Sequence, residues 1–238
     1  MTAFVLALSV PARATELELS PGLNLQYDAV RADHDNDSAE SANDVRRARL
    51  SLRGKVGQGV GFKLEYDVKP DAWTDAFLEW TGDRVTWRAG QQKTLFGLEQ
   101  LNSDRDWMFM ESSVTDVLTF GRRLGIAADV PLPAGRIQVM AFDKDLCGRN
   151  GGTGVVVRGV WNPIRQTDQI VHLGAAAAYQ RSRTGRASLN PHAESVVLPL
   201  RPLAIGAINN IDASTRLGLE AAWIRGAWTL QSEWLGLK

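Results

Sequence analysis

The chain has 238 residues, and its 27 basic and 27 acidic side chains cancel to a formal net charge of zero. That length suits one large domain, and the charge balance gives no electrostatic reason for a nucleic-acid partner. Although 44% of the residues are hydrophobic, no apolar stretch approaches the roughly 20 residues of a membrane helix, so any membrane crossing has to use strands.

Residues 1–14 read as a secretory signal: an apolar stretch from Ala3 to Val10, a helix-breaking Pro11, then the small-x-small site Ala12-Arg13-Ala14. The basic segment that usually precedes such a stretch is missing. From residue 15 onward, segments of about ten residues alternate apolar and polar side chains between Gly, Pro, Asn and Asp clusters. Leu23, Leu25 and Tyr27 oppose Asn24, Gln26 and Asp28; Ala48, Leu50, Leu52 and Val56 oppose Arg47, Arg49, Ser51, Arg53 and Lys55; Val60, Phe62, Leu64 and Tyr66 oppose Lys63, Glu65 and Asp67. A period of two is kept only by a strand. Strands are predicted near 17–29, 45–56, 60–69, 72–81, 84–92, 122–130, 136–143, 154–162, 170–181, 214–225 and 227–237.

The intervening turns alternate in length. Gly57-Gln58-Gly59, Thr81 to Arg84, Pro131 to Gly135, Asn162 to Gln169 and Arg225-Gly226 are mostly short, whereas 30–44, 93–121, 143–153 and 182–213 are longer. Short turns at one end and long loops at the other are the pattern of an outer-membrane barrel. Tryptophan placement points the same way. Trp80 and Trp87 flank one short turn, Trp161 precedes another, and Trp223 and Trp228 flank a third, where indoles at a membrane interface belong. A soluble β-sandwich with core tryptophans is the competing reading. The expected fold is an all-β transmembrane antiparallel barrel occupying residues 15–238. Eleven strands is an odd number for a bacterial single-chain barrel, and no terminal aromatic residue follows Gly236-Leu237-Lys238; further strands are therefore expected beyond about eleven.

Between residues 46 and 55 stand five cations and no acid: Arg46, Arg47, Arg49, Arg53 and Lys55. All but Arg46 share the polar face, which in a barrel is the lumen. A column of guanidinium groups offers an anion successive bidentate partners, each weak enough to release it. Pairing of those arginines with Glu65, Asp67, Asp75 and Glu79 is the static alternative. Lys93 closes the fifth predicted strand where a loop begins. In that loop Leu95, Phe96, Leu98, Leu101, Trp107, Phe109 and Met110 form an apolar set able to pack against an inner wall, with Asp104, Arg105 and Asp106 as a polar edge.

Several segments resemble the phosphate-selective porins of Gram-negative outer membranes: Val45-Arg46-Arg47-Ala48-Arg49-Leu50, Asp75-Ala76-Phe77-Leu78-Glu79-Trp80, and Gly90-Gln91-Gln92-Lys93-Thr94-Leu95-Phe96-Gly97-Leu98-Glu99. So do Phe109-Met110-Glu111, Gly121-Arg122-Arg123-Leu124-Gly125 and Leu217-Gly218-Leu219-Glu220-Ala221-Ala222-Trp223. The resemblance implies a homotrimer of sixteen-stranded barrels in outer-membrane lipid, passing phosphate, polyphosphate or other small anions. It also implies that residues 93–121 fold inward as a constriction carrying Phe96, Gly97, Leu98, Glu99 and Arg105. Arg46, Arg47 and Arg49 match the family's arginine run, Lys93 its lysine before Phe96-Gly97-Leu98-Glu99, and Asp75 an acidic residue of its fourth strand; Arg53, Lys55 and Lys63 extend the basic face. A general or cation-preferring pore remains the rival within the channel class.

Nothing in the sequence points to catalysis or to a cofactor. His34, His172 and His192 are far apart, Cys147 has no ligand neighbours at metal spacing, and no nucleophile elbow or phosphate loop is present.

Overall fold

A computed structural model describes residues 17–33, 39–107, 109, 111–148, 152–188 and 207–238. The secretory signal, His34, Met110 and His192 lie outside the described residues. The chain forms strands β1 (Leu17–Asp33), β2 (Ala39–Val56), β3 (Val60–Asp67), β4 (Ala72–Thr81), β5 (Thr86–Lys93), β6 (Arg122–Leu132), β7 (Gly135–Phe142), β8 (Gly152–Arg165), β9 (Gln169–Ser182), β10 (Arg186–Ser188), β11 (Ala207–Asn209), β12 (Ala213–Arg225) and β13 (Trp228–Leu237). Eleven of them make one antiparallel sheet in the order β1-β2-β3-β4-β5-β6-β7-β8-β9-β12-β13, and β10 with β11 forms a separate ribbon. The sixteen-stranded closed wall that the resemblance implies is not what the described residues form: this sheet is open, with β1 and β13 at its two edges.

The wall is built from the strands that the alternation predicts, with β1 and β2 running further into the expected 30–44 loop. The small ribbon falls inside the expected 182–213 loop. At one end the connections are all short, spanning 57–59, 82–85, 133–134, 166–168 and 226–227, while the other end carries the short link 68–71 together with the long loops 94–121, 143–151 and 183–212.

Burial is inverted relative to a soluble protein. Leu50, Leu64, Leu78, Trp87, Leu217 and Leu219 are all exposed, whereas Asp67, Asp75, Gln92, Gln138, Arg158 and Glu220 are buried. Leu23, Leu50 and Tyr66 lie in one cross-strand row and Pro21, Leu52 and Leu64 in the next, so the apolar residues of neighbouring strands share one face. That face suits hydrocarbon and the opposite face suits water.

Aromatic residues mark both rims of the apolar face. Trp80 and Trp87 are cross-strand partners beside the 82–85 turn, and Trp161 and Trp228 are exposed at the same end. The chain has three tyrosines, Tyr27, Tyr66 and Tyr179, and all three sit toward the long-loop end, where Tyr66 packs edge-on to Trp73 at 5.2 Å. An amphipathic ring fits each interface, so two girdles bound the apolar band. Only the tryptophan girdle was legible from spacing along the chain.

Loop 94–121 contains a short helix, α1 (Leu98–Leu101), and a 3₁₀ turn at Val114–Leu118. Its Leu95, Phe96 and Phe120 bury against Met140, Phe142, Val156, Ala176 and Ala178. Phe96 and Phe120 meet edge-on at 5.7 Å, and Phe120 tilts against Phe142 at 5.0 Å. Alanines on β9 leave the space that these rings fill. The inner face is therefore polar over most of its area and apolar where the loop sits.

Leu64 is 40% exposed midway between the two girdles. Replacing it with arginine puts a charge in the apolar band and is expected to destabilise the intact protein in lipid by about 2–4 kcal/mol. Urea unfolding in liposomes measures this; a loss below about 0.5 kcal/mol would place that face in water.

Candidate pore lining

The basic run on β2 is set by a β-bulge. The register shifts between Gln26 and Tyr27: Arg47 opposes Gln26 and Val45 opposes Tyr27, leaving Arg46 as the extra residue. Strict alternation had separated Arg46 from the other cations. The bulge lets its guanidinium reach inward to Asp28 at 3.5 Å and to Glu111 of the loop.

The neighbouring arginines are paired as well. Arg47 lies 3.2 Å from Asp104, stacks over Trp107 with 5.2 Å to the ring centre, and donates to Gln26 Oε1. Arg49 bridges Asp67 at 2.8 Å and Asp104. Of these pairs only Arg49–Asp67 is one that the static alternative names; Arg46 and Arg47 take their counter-charge from Asp28 and from the loop's own Asp104 and Glu111. Arg46 lines neither of the cavities described below.

On β3 to β6 the pattern changes. Lys63 pairs with Asp75 and, at 3.2 Å, with Glu65; Arg122 joins the same Asp75 at 2.8 Å. Arg88 pairs with Glu79 and lies over the Phe77 ring at 4.6 Å. Arg53 and Lys55 are exposed and make no ion pair or hydrogen bond among the described residues.

Two cavities follow from this layout. One of about 310 Å³ is lined by Arg47, Arg49, Asp104, Trp107, Arg122 and Lys93. The other, about 650 Å³, is lined by Arg53, Lys55, Lys63, Arg88 and Lys93, five cations against the carboxylates of Glu18, Asp75 and Glu79. Lys93 borders both. Its ammonium donates to Asn102 O at 2.5 Å, so it also fixes the loop just beyond α1.

The expected loop residues divide by role. Phe96, Gly97 and Leu98 are buried, so they seat the loop and do not face a passage. Glu99 ties the loop to itself by accepting from the Ser113 amide at 2.9 Å and from its hydroxyl. Arg105 reaches the wall, donating to Leu23 O at 3.1 Å. Of the expected apolar set, Phe109 is 75% exposed and takes no part in the packing. The alternation gave no signal for Glu111, Arg122, Arg216 and Glu233 as partners of loop or wall, because each acts across a long sequence separation.

Burial acts to raise the Asp104 carboxyl, but the charges of Arg49, Arg47, Lys93 and Arg122 outweigh it and hold the group below the ordinary carboxylate value. At Asp116 burial prevails, Glu99 adds repulsion, and the carboxyl is raised.

A wall that is apolar on one face and charged on the other, with one long loop laid across the charged face, is the wall pattern of an outer-membrane β-barrel. Residues 20–238 match the family described as phosphate-selective porin O and P, and the chain belongs to it. Its fold is similar to that of OmpT (in-vitro folded), an outer membrane protein of Vibrio cholerae, with a TM-score of 0.55, 10% identity, and coverage of 96% of this chain and 66% of that one. Outer-membrane expressed OmpT of Vibrio cholerae gives a TM-score of 0.52 at 11% identity, covering 96% and 67%. A protein of Caulobacter vibrioides (strain ATCC 19089 / CIP 103742 / CB 15), described as uncharacterized, is 29% identical over 202 residues, 78% of this chain and 41% of that relative. The chain thus spans less than half the length of that relative.

The two shifted carboxyls act oppositely on stability. The depressed Asp104 contributes stability that is present above its unfolded value and lost as pH falls through its lower folded value. The raised Asp116 contributes stability that is present below its unfolded value and lost as pH rises through its higher folded value. Lowering the pH to about 4 is therefore expected to leave the hydrogen-bonded amides of Asn102 and Asp106 protected, with loosening only below that. Hydrogen exchange on the folded protein reads this, and Asp104→Asn should expose the same amides already at neutral pH.

Proposed function

We propose that the chain lines a water-filled pore through which anions diffuse passively, phosphate or polyphosphate among them, in a homotrimer of the outer membrane. No catalytic step enters this reading. Family membership supports a porin, and the outer-membrane fold supports the location.

The observation that carries the selectivity is the wider cavity, where Arg53 and Lys55 make no ion pair or hydrogen bond among the described residues and five cations, with Lys63, Arg88 and Lys93, outnumber the carboxylates of Glu18, Asp75 and Glu79. An ion pair satisfies its own donors and projects little field, whereas an unpaired cation in a low-dielectric passage attracts mobile anions. The arginines nearer the long loops supply a polar, nearly neutral approach. Selectivity is thus assigned to Arg53 and Lys55 more than to Arg46, Arg47 and Arg49.

Two unit charges about 4 Å apart at an effective dielectric near 20 interact by roughly 4 kcal/mol, and a quarter of that changes occupancy about fivefold. Arg53→Glu with Lys55→Glu in the intact porin is therefore expected to shift the reversal potential toward cations and to lower phosphate block of chloride current several-fold. Lys69→Glu serves as the comparison, since Lys69 is exposed and already paired with Asp44. Planar-bilayer recording under a salt gradient decides the matter. An unmoved reversal potential would leave a general pore as the function.

A further inference from the structure

Loop 94–121 meets both edges of the sheet. On one side Asp104 and Glu111 engage Arg46, Arg47 and Arg49 of β2, and Arg105 reaches Leu23 O of β1. On the other side the loop meets β12 and β13 through a different arrangement, in which two wall side chains bind its backbone.

Glu233 of β13 accepts from the Leu98 amide at 2.9 Å and from the Glu99 amide at 3.3 Å. These are the first free amides of α1, which has no side-chain cap of its own. Arg216 of β12 donates through one nitrogen to Leu118 O at 2.7 Å and Thr119 O at 2.6 Å, and its guanidinium lies 3.8 Å from the Phe120 ring centre. Those carbonyls end the 3₁₀ turn. A carboxylate thus holds the amide end of the loop's first helical turn and a guanidinium holds the carbonyl end of its last, each matched in sign to the backbone dipole it meets.

Gly97 shows how closely the wall approaches. It has a φ of 90°, and a Cβ there would lie 2.9 Å from Thr119 Cγ2 and 3.3 Å from Glu233 Oε1. The entrance and exit of the loop meet at this point, directly over Glu233.

We propose that Glu233 and Arg216 are the positioning residues of the pore: together they pin the two stems of loop 94–121 to the β12–β13 wall and so set the width of the passage beside Lys93. This deepens the pore reading and rests on it. Neither residue borders the two cavities, so they act through the loop and not on the permeating ion. The apolar seat of Phe96 and Phe120 holds the loop near the wall, and the two polar pins fix its position there.

The test uses Glu233→Ala and Arg216→Leu in the intact porin, each first checked for the folded form that migrates differently when unheated. Removing a pin is expected to raise open-channel current noise and brief closures at least about twofold, with the reversal potential nearly unchanged. Tryptic cleavage after Arg105 is expected to quicken by about tenfold, because cleavage follows the population of released loop. Glu233→Gln, which keeps a carbonyl acceptor but loses the charge, should fall between Glu233→Ala and the unaltered protein. Should Glu233→Ala fail to fold, Glu233→Gln and Arg216→Lys carry the same two readouts. A folded variant with unaltered noise and unaltered cleavage overturns the assignment. The pore reading itself fails separately, by the reversal-potential outcome of the Arg53 and Lys55 exchange.

Discussion

The constraint on which the rest of the structure depends is that a charged side chain facing hydrocarbon is costly, while every backbone polar group there still needs a partner. A sheet satisfies the backbone through its ladders, and its period of two sends alternate side chains to opposite faces. Leu23, Leu50 and Tyr66 in one cross-strand row, with Arg49 and Asp67 paired on the opposite face, are the direct result. Once the outer face is apolar, the cations and carboxylates of eleven strands gather on the inner face. Their pairing there decides what field that face presents.

That crowding explains the unequal use of cations. Arg46, Arg47 and Arg49 lie where loop 94–121 brings Asp104 and Glu111 against them, so they bind the loop. Arg53 and Lys55 lie where no loop acid arrives and keep their donors free among the described residues. A single basic strand thus does two jobs, securing a loop near one end and charging a cavity near the other.

Much of this was legible in the sequence. The eleven strands, their outward leucines and the tryptophan rim follow from alternation and turn spacing, because these are properties of residues near one another in the chain. The Arg46 bulge was not legible, since it arises from the register between β1 and β2 and not from β2 alone. The tyrosine rim was not legible because Tyr27, Tyr66 and Tyr179 are far apart in sequence and come to one end of the sheet only when the strands are stacked.

By itself, then, the sequence determined the strand period, the face each wall residue takes and the basic character of β2, because each depends on local stereochemistry and on the cost of charge in lipid. The tertiary structure alone decided which cations are neutralised and which are not. Asp104, Glu111, Arg216 and Glu233 act on groups that lie 55 to 135 residues away in the pairs Asp104–Arg49, Arg216–Thr119 and Glu233–Leu98. Only folding the loop across the wall brings those charges within hydrogen-bonding distance.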